Sequence, residues 1–240
     1  KCAQGDEVAF IALLRRPEHE ALPVLEKLYR AGSRSYIVHA LAWYGSPLGG
    51  EELAALMSKA IDEGRHRTLP NLSTYYAMYR WGYDHGDDYT LMNRLIMLAG
   101  RSSHEATIEP LARLIADTEG YGPLHPGIVP YYNLREDMPR YPFYNRMLNI
   151  AHAAAAKADR RLGSALDALL LRPGVTGHVT ELHSGAHPAY MLAHAEISLA
   201  RAAVRCGSPV GLKALSAYLT DTHSFFRSTA RRELALALQQ

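Results

Sequence analysis

The sequence predicts an all-α chain, an α-α superhelix built from paired antiparallel helices. Apolar residues recur at three- and four-residue spacing through most of the 240 residues. Strand signals are almost absent, with no Asn-Gly hairpin dipeptide and no sustained alternation. The helical segments are short and come in pairs between Gly, Pro and Ser breaks. Such pairs cannot bury both apolar faces alone, so they need a stack of similar neighbours.

The closing stretch from Ser208 to Gln240 sets the pattern. Val210, Leu212, Leu215, Tyr218 and Leu219 form one stripe, behind a proline at 209 where a first-turn proline is tolerated. After a break at Thr222–His223, Phe226, Ala230, Leu234 and Leu238 step by four, with Arg227, Arg231 and Arg232 turned away.

From the start, Asp6–Arg16 reads as a short helix on Val8, Ile11 and Leu14. Glu18–Ala31 follows on Leu22, Leu25, Leu28 and Tyr29, with Pro23 required in its first turn. Ser33 caps a helix to Tyr44 that turns Ile37, Leu41 and Tyr44 inward. After Gly45–Gly50, Glu51–Glu63 aligns Leu53, Leu56, Met57 and Ala60, and Pro70–Trp81 carries Leu72, Tyr75, Tyr76 and Tyr79. Tyr89–Ala99 is stopped by Gly100, and Ser103 caps a run to Asp117 on Ile108, Leu111, Leu114 and Ile115. Pro110 is expected to displace the start of that run by a turn.

Thr118–Pro142 breaks the pattern. Its five prolines predict a long irregular loop, and its four tyrosines with Leu, Ile and Val argue for packing along the surface rather than plain disorder. Phe143–Ala158 is an alanine-rich helix, Arg161–Leu171 carries Leu162, Leu166, Leu169 and Leu170, and Val175–Ala186 is irregular. His187–Arg205, with Tyr190, Leu192, Ala195, Leu199 and Val204 inward, ends at Gly207. The pair spacing of ~35–45 residues falls in the range of HEAT and armadillo repeats, and residues 1–240 read as one such domain. The competing architecture is a single non-repeat bundle.

Composition excludes several functions. The 26 basic residues nearly balance 24 acidic ones, so no electrostatic footprint for nucleic acid is present. No apolar run approaches the ~20 residues of a membrane span. Cys2 and Cys206 do not fix a redox compartment, and localisation stays open. The chain begins at Lys1 without a leader, as expected of a processed or excised piece.

Chemical motifs are absent: no GxGxxG after a strand, no GxxxxGK[ST], HExxH, CxxC or GxSxG. Twelve histidines are the unusual count, densest at His178, His183, His187 and His194 with Glu181 and Glu196. His178, His183 and His187 are the candidates for a zinc-like site if the loop folds back, but their spacing matches no recognised ligand pattern. The contrary reading makes them caps, backbone partners or solvent-facing groups. The aromatic cluster Trp43, Tyr44, Tyr75, Tyr76, Tyr79, Trp81 and Tyr83 reads as inter-repeat core before it reads as a ligand groove. In and after the proline–tyrosine loop, Tyr131, Tyr132, Arg135, Tyr141 and Tyr144 are the candidate interaction surface. Arg227, Arg231 and Arg232 read as the polar cap of an end repeat.

The stretches SYIVHALAWYGSPLGGEELAALM, YTLMNRLIMLAGRSSHEATIEPLARLI and LNIAHAAAAKADRRLGSALDALLLRPGVTGH resemble the C-terminal HEAT-like helical region of some bacterial FAD-dependent oxidoreductases. The resemblance covers about Ser35 to His178 and implies a non-catalytic module attached to a flavin-binding domain. FAD would then belong to an upstream domain, and no cofactor-binding or catalytic residue carries over to this chain. Two functional readings stand side by side. One is an interaction or scaffold module that meets another protein or an upstream domain of its own chain. The other is a metal-dependent enzyme or metal-binding protein on His178, His183 and His187.

Overall fold

The structure, a computed structural model, describes residues 18–32, 35–67, 88–117, 140–180, 187–220 and 223–237. Every regular element among them is helical, as the periodicity predicts. The elements are α1 (Glu18–Arg30), α2 (Ser35–Trp43), α3 (Gly50–Asp62), α4 (Asp88–Arg101), α5 (Ile108–Ala116), α6 (Arg140–Lys157), α7 (Gly163–Leu170), α8 (His187–Arg205), α9 (Pro209–Ala217) and α10 (Ser224–Ala237). Short 3-10 turns at Arg65–Arg67, Glu105–Thr107, Arg160–Leu162, His178–Thr180 and Tyr218–Thr220 join or extend them. The expected helices at Asp6–Arg16 and Pro70–Trp81 lie outside the described residues, as does the expected loop up to residue 139.

The helices pack in alternation. Each of α2, α4, α6, α8 and α10 packs on the next of that series, and α3, α5, α7 and α9 do the same. Direction follows from the contacts. Gly100 of α4 meets Ala153 of α6. Just beyond both, Lys157 Nζ donates to the His104 carbonyl at 3.0 Å, so α4 and α6 run the same way. His194 meets Phe225 while Arg205 meets Glu233, so α8 and α10 also run the same way. The core between the two series is continuous from Val38 to Ala230, with a smaller cluster of Ala21, Leu25, Ile37, Ala40 and Leu41 at the α1–α2 end.

One junction recurs. A residue with positive φ ends a helix at Gly45 (74°), Ala158 (49°) and Gly207 (81°). A Ser or Asp follows each and turns its side-chain oxygen onto an amide ahead. Ser46 Oγ accepts from Leu48 N at 3.2 Å, Asp159 Oδ1 from Arg161 N at 2.9 Å, and Ser208 Oγ from Gly211 N at 3.0 Å. At Ser46 and Ser208 the amide also reaches five residues back, to the Leu41 and Ala203 carbonyls, closing the helix in a Schellman turn. The next helix carries a glycine in its first turn where another element lies against it. A Cβ at Gly50 would run into the His104 side chain, and one at Gly211 would fall 2.7 Å from the Ala200 carbonyl oxygen.

Several expectations are corrected. Pro23 lies inside α1 rather than in its first turn, so the His19 carbonyl loses that amide donor. The helix expected from Phe143 begins at Arg140, so residues 140–142, expected in the loop, are helical. His104, not Ser103, caps the turn leading into α5, its Nδ1 accepting from Ala106 N at 3.1 Å. Pro110 does delay the α-helical start to Ile108.

Gly100 does not stop α4; it lies within the helix because α6 leaves no room for a side chain. Its added Cβ would sit 2.5 Å from Ala153 Cα, a backbone atom that can yield only if α4 and α6 separate. Gly100→Val is therefore expected to destabilise the fold by about 2 kcal/mol, the usual cost of overpacking. Urea unfolding checks this, and an unchanged midpoint contradicts the close contact.

Candidate interaction face on α8 and α10

Helix α8 is buried on most sides. Ala193, Ala195, Ile197, Leu199, Ala200, Ala202, Ala203 and Val204 fill the spaces against α6, α7 and α9. Among its exposed and half-buried residues is a stripe at helical spacing: Tyr190, His194, Arg201 and Arg205. Tyr190, expected inward, is 38% exposed. Helix α10 runs alongside and contributes Phe225, 57% exposed, and Arg232, with Phe226 and Ala230 turned into the core.

The two helices make an aromatic end and a cationic end. At the aromatic end Tyr190 stacks edge-on to His223 with centroids 5.0 Å apart, and lies 5.5 Å from Phe226. His194 lies 6.0 Å from Phe225. Two turns further along both helices, Glu233 is clasped by three guanidinium groups. Arg201 Nε lies 3.1 Å from one carboxylate oxygen, to which Arg232 Nη2 donates at 3.0 Å. Arg205 Nε donates to the other oxygen at 3.1 Å. The Glu233 side chain is 1% exposed, whereas those of Arg201, Arg205 and Arg232 are 30%, 29% and 62% exposed.

The electrostatics follow from this count of charges. Burial, reinforced by the repulsion of Arg205 and Arg232, lowers the Arg201 pKa from its ordinary value despite Glu233. The positive field reaches α6, where burial and Arg201 lower the pKa of His152. Burial and His152 likewise lower that of His194. The lowering at His194 favours its neutral imidazole beside Phe225, and the cationic end sets three guanidinium groups against one carboxylate.

Other polar groups are occupied in holding the fold. Glu196, 2% exposed, accepts from the Gly177 amide (3.1 Å), the His178 amide (2.9 Å) and the Tyr218 hydroxyl (2.7 Å), tying the turn before α8 to the end of α9. Asp117 bonds His66 Nε2 at 2.5 Å and accepts from Arg67 Nη2 at 2.9 Å. The Arg101 guanidinium lies 3.9 Å over the Trp43 ring, fixing that aromatic as packing. Cys206 is a buried free thiol against the Ala154 carbonyl, and burial pushes its pKa up to about 11. A cavity of about 390 Å³ is lined by His39, Leu56, Lys59, Glu63, Arg65 and Leu95, so Leu56, expected inward, is an exposed wall instead. Its rim is internally paired, Glu63 lying 2.6 Å from Arg65 and 3.8 Å from Lys59.

The residues singled out from sequence fall elsewhere. Tyr131, Tyr132, Arg135 and His183 lie outside the described residues. Tyr141 and Tyr144 sit on the first turns of α6 and His187 opens α8, with no side-chain placement described. His178 is buried, and its Nε2 donates to the Gly174 carbonyl at 2.9 Å, which removes that nitrogen as a metal ligand. Among the described residues no three His, Cys, Asp or Glu side chains gather as a metal site would require, and no helix is long and apolar enough to cross a membrane. No family model matches the chain, and no curated protein or solved structure matches it.

Proposed function

We propose that the chain is a non-catalytic interaction module, an α-α superhelix of HEAT or armadillo type that meets another protein through the face of α8 and α10. Two features support the superhelix: the alternating packing of like-directed helices and the recurring Gly–Ser, Ala–Asp and Gly–Ser junctions. The observation that carries the function is the stripe of exposed aromatic and arginine side chains. Interface cores favour these residue types, and here they lie together on neighbouring helices. The metal reading finds less support, since the one histidine of its three whose side chain is described spends a ring nitrogen on a backbone carbonyl.

Photo-crosslinking tests the proposal. A benzophenone side chain at position 225 is expected to capture a protein partner, while the same group at Leu171, exposed at the end of α7, captures none. Equal capture at both positions, or at neither, overturns it. The flavin-binding domain implied by the sequence resemblance is the first partner to try, expressed with this chain in one reading frame.

A further inference from the structure

The outward face of α8 and α10 also constrains the chemistry of its partner. We propose that it takes an acidic protein segment that presents an aromatic or aliphatic side chain about two helical turns from its carboxylates. This inference rests on reading the face as an interaction surface, and adds what that surface selects.

Charge complementarity supplies the first half. Each guanidinium carries five N–H donors, and one carboxylate cannot engage three such groups fully. The contacts on Glu233 are Arg201 Nε, two nitrogens of Arg232 and two of Arg205. Arg205 Nη1 also donates to the Ala155 carbonyl at 3.5 Å, and the remaining donors sit on side chains that keep 29% to 62% of their surface in water. A second carboxylate arriving from solvent meets a local net charge of two positives, with its donors already held by Glu233 and spared most of the ordering cost. Lys59 and Arg65 beside the cavity offer no such surplus, being paired with Glu63.

The apolar half comes from the other end of the stripe. Phe225 and Tyr190 present ring surface to solvent, backed by His194 and the buried Phe226, so a ring or branched aliphatic group is received on a preformed floor. His194 to Arg201, and Phe225 to Arg232, are each seven residues apart, about 10 Å along the helix axis. A partner helix with its apolar group two turns from its carboxylates matches that span, as does an extended segment of about three residues. Nucleic acid fits less well, because it is followed by a track of charge and here three arginines form one knot.

Fluorescence anisotropy on the full chain decides the matter. The probes are a fluorescein-labelled peptide with a glutamate run and one tryptophan, its lysine-for-glutamate counterpart, and a labelled oligouridine. The glutamate peptide is expected to bind and to weaken steeply as salt rises. Arg232→Ala is expected to cost about fivefold in affinity and flatten the salt dependence. Phe225→Ala is expected to cost about tenfold and leave the salt dependence as it was. Both positions are solvent-exposed, and circular dichroism confirms that the variants fold. Equal binding of the lysine peptide, tighter binding of oligouridine, or affinities unmoved by either substitution overturns the proposal. Failure of the glutamate peptide alongside successful crosslinking at position 225 overturns this inference alone. Failure of both removes the interaction face as well.

Discussion

Glu233→Ala is expected to destabilise the fold by about 3 kcal/mol, the lower end of the usual cost of taking one partner out of a buried ionic cluster. Glu233 lies on the apolar stripe of α10, seven residues from Phe226 and three from Ala230, and is buried beside them. It sits there because Arg205 of α8 and Arg232 of its own helix each donate to one carboxylate oxygen, with the Arg201 guanidinium 3.1 Å from the oxygen that Arg232 engages. Without it, three guanidinium groups face one another in a partly dry space. Arg201 and Arg205 recover part of their hydration by swinging outward, which keeps the loss below the full cost of a stranded buried charge. Urea unfolding of the two proteins measures the difference, and added salt should return part of it by screening the repulsion. A loss under about 1 kcal/mol would mean that α10 is held by Phe226 and Ala230 alone.

Acidification is expected to cost roughly 3 kcal/mol of stability between about pH 6.5 and pH 4, through His39. Burial, with Arg94 nearby, pushes this imidazole down from 6.5 to about 4. Between those values the unfolded chain binds a proton at this position that the folded chain refuses. The unfolded state therefore holds more protons, and stability falls as pH falls through the window. Above about pH 6.5 both states are neutral at His39 and it adds no slope. His152 and His194 are lowered too and add to the loss in the same direction. At Asp117 burial works against the charge, but the hydrogen bonds from His66 and Arg67 outweigh it and hold the carboxyl below its ordinary value, so its contribution disappears at still lower pH. Chemical unfolding at a series of pH values should show this slope, and His39→Gln should remove most of it. An unchanged slope in the variant would place the proton uptake elsewhere.

The sequence made the helices legible where local chemistry and packing agree. The bounds of α8 follow from Pro188 in its first turn and Gly207 after its last, and the four leucines assigned to the α7 segment are all fully buried. Legibility failed where a neighbouring element decided the outcome. Gly100 has the look of a helix stop, but the nearness of Ala153 gives it another purpose. Leu212 and Leu56 belong to apolar stripes by spacing, yet nothing covers them enough to bury them. Glu196 and Glu233 were legible only in part. Their charge marks them as outward, while their register, with Ala200 four after one and Ala230 three before the other, marks them as core. Register prevailed because arginines and backbone amides converge on them from other elements, which no single helix reveals.

The interaction face was harder to find for a related reason. Tyr190 read as core and Arg232 as a polar cap, and each is reasonable within its own helix. They become one surface only because α8 and α10 lie side by side in the same direction. The recurring junction was obscured in the same way: Gly45–Ser46, Ala158–Asp159 and Gly207–Ser208 share a backbone conformation and a capping oxygen more than they share letters.

The stacking of like-directed helices underlies both the face and the function drawn from it, and one distance tests it. Spin labels at Met97 on α4 and Leu236 on α10, both solvent-accessible, can be read by double electron–electron resonance after Cys2 and Cys206 are replaced by alanine. Three helix-to-helix steps of 8–10 Å separate α4 from α10 in a stack, so the distribution should centre near roughly 30 Å. A centre below roughly 20 Å would bring α10 back against α4 in a closed bundle, and the stacked account would be wrong.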